Sequence, residues 1–147
     1  MQQPRRIKIM LAEDNEDHAE ITIETLMEEN VKNEVSHFLN GDEAISFLKS
    51  ASDDEIPDLI LLDIKMPLKT GFDVLEYVKS NDRLKSIPVV MISTTTNAIE
   101  NKKAYDMGAA TFIKKPISYD AFIDAIKSLN LYWTVTAELP PKGNEKL

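Results

Sequence analysis

Cysteine is absent from the 147 residues. That excludes a disulfide scaffold, a thiolate zinc site, an iron–sulfur site and a cysteine nucleophile. Histidine is scarce. His18 and His37 are the only two, neither has a partner at metal or triad spacing, and neither is assigned a role. No apolar run approaches the roughly 18 residues of a membrane span. The opening, MQQPRRIKIMLAED, has a basic pair but turns acidic too early for a secretory signal, so a cytoplasmic location is expected. Repeats and low-complexity linkers are missing as well. Base is short at one end: residues 1–63 carry 16 acids against 5 bases, within a net charge of −8. An acidic chain is a poor match for a polyanion, so no nucleic-acid partner and no membrane contact are expected. Part of the excess is a solvated face, because Glu16, Glu20, Glu24 and Glu28 recur every four residues and draw one stripe on a helix.

The length suits about one domain of roughly 150 residues, and such a chain buries enough apolar surface to fold without metal or disulfide. Short apolar runs alternate with amphipathic segments. Strands are expected at 7–12 (IKIMLA), 34–39 (EVSHFL), 58–63 (DLILLD), 88–93 (PVVMIS) and 111–114 (TFIK). Four consecutive aliphatics in DLILLD mark a strand buried on both faces of a parallel sheet. Between them lie helical faces: Ala19, Ile23, Leu26 and Met27; then Ala44, Ile45, Phe47 and Leu48; then Val74, Leu75 and Val78. Asn40-Gly41-Asp42 is a turn that also starts a helix. Thr70 and Asp73 form a capping box with Asp in place of Glu. Residues 98–107 form a weak, polar helix stopped by Gly108. Ser118 caps a last helix with a face of Phe122, Ala125, Ile126 and Leu129.

Five β-α repeats argue for an α/β fold with a parallel sheet covered by helices on both faces. The expected architecture is a flavodoxin-like (βα)5 three-layer sandwich, strand order 2-1-3-4-5, with its crevice at the carboxyl ends of strands 1 and 3. That crevice gathers Glu13 and Asp14 after strand 1, Asp63 at the end of strand 3, Ser93 at the end of strand 4, and Lys115 after strand 5. Singly, each is an ordinary loop residue. Together they are not. Three carboxylates in close quarters repel one another and call for a cation or a proton. With oxygen ligands only, Mg²⁺ is the natural cation. A lysine and a hydroxyl beside it complete an anion site shaped for a phosphoryl group. One of the carboxylates then acts as nucleophile on phosphorus, with Mg²⁺ and Lys115 neutralising charge.

These motifs resemble the receiver domains of two-component response regulators over about residues 6–130. The resemblance rests on Glu13-Asp14, on LLDIKMPLKTG around Asp63, on PVVMIS ending in Ser93, and on Lys115-Pro116. It implies that Asp63 is the phosphoacceptor. It implies that Glu13, Asp14, Asp63 and the backbone carbonyl of Lys65 hold Mg²⁺, that Ser93 and Lys115 bond the phosphoryl oxygens, and that Phe112 is the switching aromatic. It also implies a cis Lys115–Pro116 bond. A sensor histidine kinase would be the phosphodonor, and the surface of the fourth helix, fifth strand and fifth helix would be read by a partner. The chain would thus act in phosphotransfer signalling and be no enzyme beyond its own phosphorylation and dephosphorylation. Ser93 stands where threonine is commoner. Phe112 lacks a phenol, so packing alone governs its rotamer. Lys65 lies two residues after Asp63, at the mouth, and an altered phosphate lifetime is expected from it.

A receiver domain is expected over 1–130 and an apolar tail over 131–147, beginning LYWTV and fraying after Leu139-Pro140-Pro141. With so short a tail, a stand-alone receiver is expected. An aromatic-rich extension ending near prolines resembles the phytochrome-associated receivers, which implies a phytochrome-like kinase and a homodimer through the fourth helix, fifth strand, fifth helix and tail. The tail's other role would be to pack on its own domain. Other functions fit less well. A haloacid-dehalogenase-type phosphatase needs a second aspartate where Lys65 stands. A flavodoxin needs a hydroxyl- and glycine-rich phosphate loop where AEDNED stands. An inert scaffold leaves the complete acceptor set without a use.

Overall fold

A computed structural model describes residues 7–27, 33–94, 97–118, 120, 121 and 124. The elements run β1 (Ile7–Ala12), α1 (Glu16–Leu26), β2 (Asn33–Phe38), α2 (Gly41–Ser50), β3 (Leu59–Asp63), α3 (Gly71–Lys79), β4 (Val89–Ser93), α4 (Ala98–Asp106) and β5 (Thr111–Lys114). The strands form one parallel sheet in the order β2-β1-β3-β4-β5, as the alternation predicts. β3 lies between β1 and β4, and every residue of it is buried. The edge strand β5 is only partly covered.

Period-two alternation sends each strand's side chains to two cores. Ile7, Ile9, Leu11, Leu59, Leu61, Val90 and Ile92 pack with Ala19 and Leu26 of α1. Met10, Ala12, Ile60, Leu62, Val89 and Met91 pack with α2, with α3 through Val74, Leu75 and Val78, and with Ala104 of α4. The helices start where capping side chains satisfy their first free N–H groups: Asn15, Asn40, Thr70 and Asn97 each accept from a first-turn amide, an arrangement worth about 1 kcal/mol per cap. The Thr70–Asp73 box closes in both directions, at 2.9 and 3.3 Å. Gly108 ends α4 with φ +103°, a conformation that costs a side-chain-bearing residue about 1 kcal/mol or more.

β1 and β5 keep the expected limits, and those of β2, β3 and β4 move by one residue. Met27 is corrected from core to surface, 49% exposed, because the helix ends there and its side chain leaves the apolar face. Thr22 takes the place on that face, between Ala19 and Leu26. Glu16, Glu20 and Glu24 are exposed, as the stripe requires. Ser118 Oγ accepts from Ala121 N–H at 3.0 Å, as the cap requires. The body of the expected last helix, the tail 131–147, Glu28, Thr95 and Thr96 lie outside the described residues. No helix among the described residues is long and apolar enough to cross a membrane.

Candidate functional site

All five strands run the same way, so their carboxyl ends share one edge of the sheet. α1 covers one face of the sheet and α2 and α3 the other, which leaves a crevice at the ends of the neighbouring strands β1 and β3. Glu13, Asp14 and Asp63 meet in it, each with a carboxylate oxygen within 4.8 Å of the others. Glu13 is fully buried, Asp63 is 7% exposed, and Asp14 is open to water. Ser93 is buried at the end of β4.

Lys115 reaches in from the segment after β5. Its N–H donates to Ser93 O at 2.7 Å, which ties the lysine to the end of β4. Its ammonium pairs with Glu13 Oε1 and lies 3.4 Å from Asp63 Oδ1. The Lys115–Pro116 bond is cis. Phe112 is half-buried and packs on the core under α2, α3 and α4. Lys65 is exposed and lines an open groove with Asp14, Met66, Thr70, Glu100 and Lys103. The sequence-derived site residues therefore meet at one crevice, with Lys65 at its mouth and Phe112 to the side.

The electrostatics are strained toward a cation. Burial first, then the Glu13 carboxylate, push the Asp63 carboxyl from its ordinary 3.8 up to about 7, against the pull of Lys115. One ammonium does not balance three carboxylates. Glu13 Oε1 is buried and takes no hydrogen bond among the described residues, although Lys115 sits against it. This donor set, two buried carboxylates and one exposed, all oxygen, fits a small hard divalent ion that keeps waters and a phosphate oxygen as its remaining ligands. A cation there would supply charge neutralisation to phosphorus chemistry at Asp63.

Two residues left without a role in the sequence belong to this neighbourhood. His37 Nε2 donates to the backbone carbonyl of Glu13 at 2.8 Å, while Glu13 N–H donates to Phe38 O at 3.0 Å. β2 thus holds Glu13 from both sides of its peptide unit. The parallel register carries the signal, since His37 pairs with Leu11, two residues before Glu13. His18 is half-buried, and its Nδ1 lies 3.3 Å from Lys115 Nζ. Its place in the first turn after Glu13-Asp14 was the available signal.

Known proteins agree with this geometry. Residues 9–127 match the family model described as the response regulator receiver domain. The chain is 29% identical over 135 residues to the response regulator Rcp1 of Synechocystis sp., covering 90% of this chain and 92% of that one. The structure of the bacteriophytochrome response regulator AtBRR superposes with a TM-score of 0.77 at 32% identity, covering 88% of this chain and 96% of that one. The phosphorylated cyanobacterial phytochrome response regulator RcpA superposes with a TM-score of 0.74 at 34% identity, covering 93% of this chain and all of that one. The chain belongs to the response regulator receiver family of two-component signalling, among relatives that include phytochrome response regulators.

Proposed function

We propose that Asp63 is the phosphoacceptor of a Mg²⁺-dependent receiver, with a sensor histidine kinase as donor. A carboxylate oxygen of Asp63 attacks phosphorus, a P–O bond forms, and the P–N bond to the donor imidazole breaks. Glu13, Asp14, Asp63 and the backbone carbonyl of Lys65 hold Mg²⁺. Lys115 and Ser93 each bond one phosphoryl oxygen. The observation that carries this reading is the buried Lys115 ammonium set between Glu13 and Asp63 at the switch point of the sheet. A site built to store one positive charge beside an acceptor carboxylate is prepared for the charge of the transferred group.

Phosphorylation then draws Ser93 and Lys115 toward Asp63, and Phe112 turns into the space released. α4 is the element best suited to respond, because it buries only Ala104. The phytochrome response regulators among its neighbours support a phytochrome-like kinase as partner, with homodimerisation through α4, β5, the last helix and the tail.

Intact mass after incubation with Mg²⁺ and a small acyl phosphate tests the acceptor. The native chain gains one phosphoryl group; Asp63→Asn, and the native chain in chelator, gain none. Failure with both acyl phosphate and a purified histidine kinase would overturn the reading. The dimer is tested separately. Deleting residues 131–147 converts the chain to monomer by light scattering, whereas a truncated chain that dimerises fully removes the tail as the main interface.

A further inference from the structure

The geometry points to His18 as a positioning residue for Lys115, an inference that rests on the phosphoacceptor reading above. A lysine ammonium has three N–H donors and no acceptor. Around Lys115 Nζ stand three acceptors: Glu13 Oε1, Asp63 Oδ1 at 3.4 Å and His18 Nδ1 at 3.3 Å. Glu13 Oε1 and Asp63 Oδ1 meet the ammonium as ion pairs and His18 Nδ1 as a hydrogen-bond partner, and the side chain, 6% exposed, has little water around it. Since an ammonium only donates, Nδ1 is the accepting atom in this contact.

The three partners are not equivalent. Glu13 and Asp63 are carboxylates shared with the cation site, and Asp63 is the one that becomes an acyl phosphate. Both change charge or partner during the reaction. His18 does neither. It stands on α1, whose first turn is fixed by Asn15 Oδ1 accepting from His18 N–H at 3.0 Å, and α1 is anchored on the sheet by Ala19 and Leu26. The imidazole therefore supplies the fixed end against which the ammonium pivots from the carboxylates to a phosphoryl oxygen. It touches neither the phosphorus nor the metal; it acts through Lys115.

The test uses His18→Leu, which deletes the acceptor, and His18→Asn, whose Oδ1 occupies the place of Nδ1. Phosphoryl incorporation from acyl phosphate with Mg²⁺ slows about five-fold in the Leu variant, the loss of one hydrogen bond worth about 1 kcal/mol, and returns to within about two-fold of native in the Asn variant. The second readout is the Lys115 ammonium resonance in ¹⁵N-lysine-labelled, metal-free protein, identified by its loss in Lys115→Arg. It shifts in His18→Leu and stays near native in His18→Asn. Native rates in the Leu variant, equal slowing in both variants, or an unmoved resonance would overturn the inference. His18→Ala replaces the Leu variant where that one does not fold. A native chain that accepts no phosphoryl group from acyl phosphate or from a purified histidine kinase sinks the phosphoacceptor reading, and the resonance then decides the His18–Lys115 contact by itself.

Discussion

In chelator at about pH 8, Asp63→Asn is more stable than the native chain by about 2 kcal/mol, and Lys115→Met is less stable by about 3. The opposite signs follow from one cluster. Asp63 ionises near 7 in the folded chain against an ordinary 3.8. Between those values the folded chain holds the extra proton, so stability falls as pH rises. The contribution is complete below 3.8 and gone above about 7. A tenfold change in proton affinity is worth about 1.4 kcal/mol. Water reaching the crevice through exposed Asp14 discounts the sum to about 2. Asparagine keeps the shape and has no charge to lose, so its advantage grows between 3.8 and about 7 and is complete at about pH 8.

Methionine at 115 does the reverse. It leaves Glu13 and Asp63 facing each other without the ammonium that lies between them. Removing one partner of a buried pair costs about 3 to 5 kcal/mol, and protonation of Asp63 holds the loss near the lower figure. Mg²⁺ recovers most of it, and Asp63→Asn added to Lys115→Met recovers part, because both remove the same repulsion. Urea melts with and without Mg²⁺ measure all four chains. An Asp63→Asn chain less stable than native in chelator at pH 8 would sink this account.

Gly71→Ala loses about 3 kcal/mol of stability and slows phosphoryl acceptance by about 10- to 100-fold. Gly71 opens α3 directly behind the acceptor, and its N–H donates to Ile64 O at 3.0 Å. An added Cβ would lie 2.4 Å from Asp63 O and 3.0 Å from both Asp63 C and Ile64 Cα. All three are backbone atoms, so no side-chain rotation relieves the clash. Either α3 lifts off the sheet or the Asp63 peptide moves, and a shift of about 1 Å at a reacting group is enough for that rate loss. Urea midpoints and mass-detected phosphorylation read the two effects. A native midpoint in Gly71→Ala would show that the helix start yields without cost.

The two glycine and lysine effects show how differently parts of this chain are encoded. Strand content was legible because LILLD and VVMIS are runs that only a sheet covered on both faces buries. The α2 and α3 starts and the α4 stop were legible because Asn40, Thr70 and Gly108 mark local backbone geometry. Glu13, Asp14, Asp63, Ser93 and Lys115 were legible as a group because a parallel βα order sends every strand's carboxyl end to one edge. Met27 was misplaced because periodicity does not announce where a helix stops.

Local pattern thus determined the elements, their order and the residue types at the strand ends, since each depends on interactions within a few positions of the chain. Three things came from the tertiary structure alone. Lys115 sits between Glu13 and Asp63, Asp63's acidity is weakened by burial and then by the Glu13 carboxylate, and two solitary histidines stand beside the site. His18 and Lys115 are separated by 97 residues. No spacing rule spans that interval, because the contact exists only once α1 and the segment after β5 pack against the same end of the sheet.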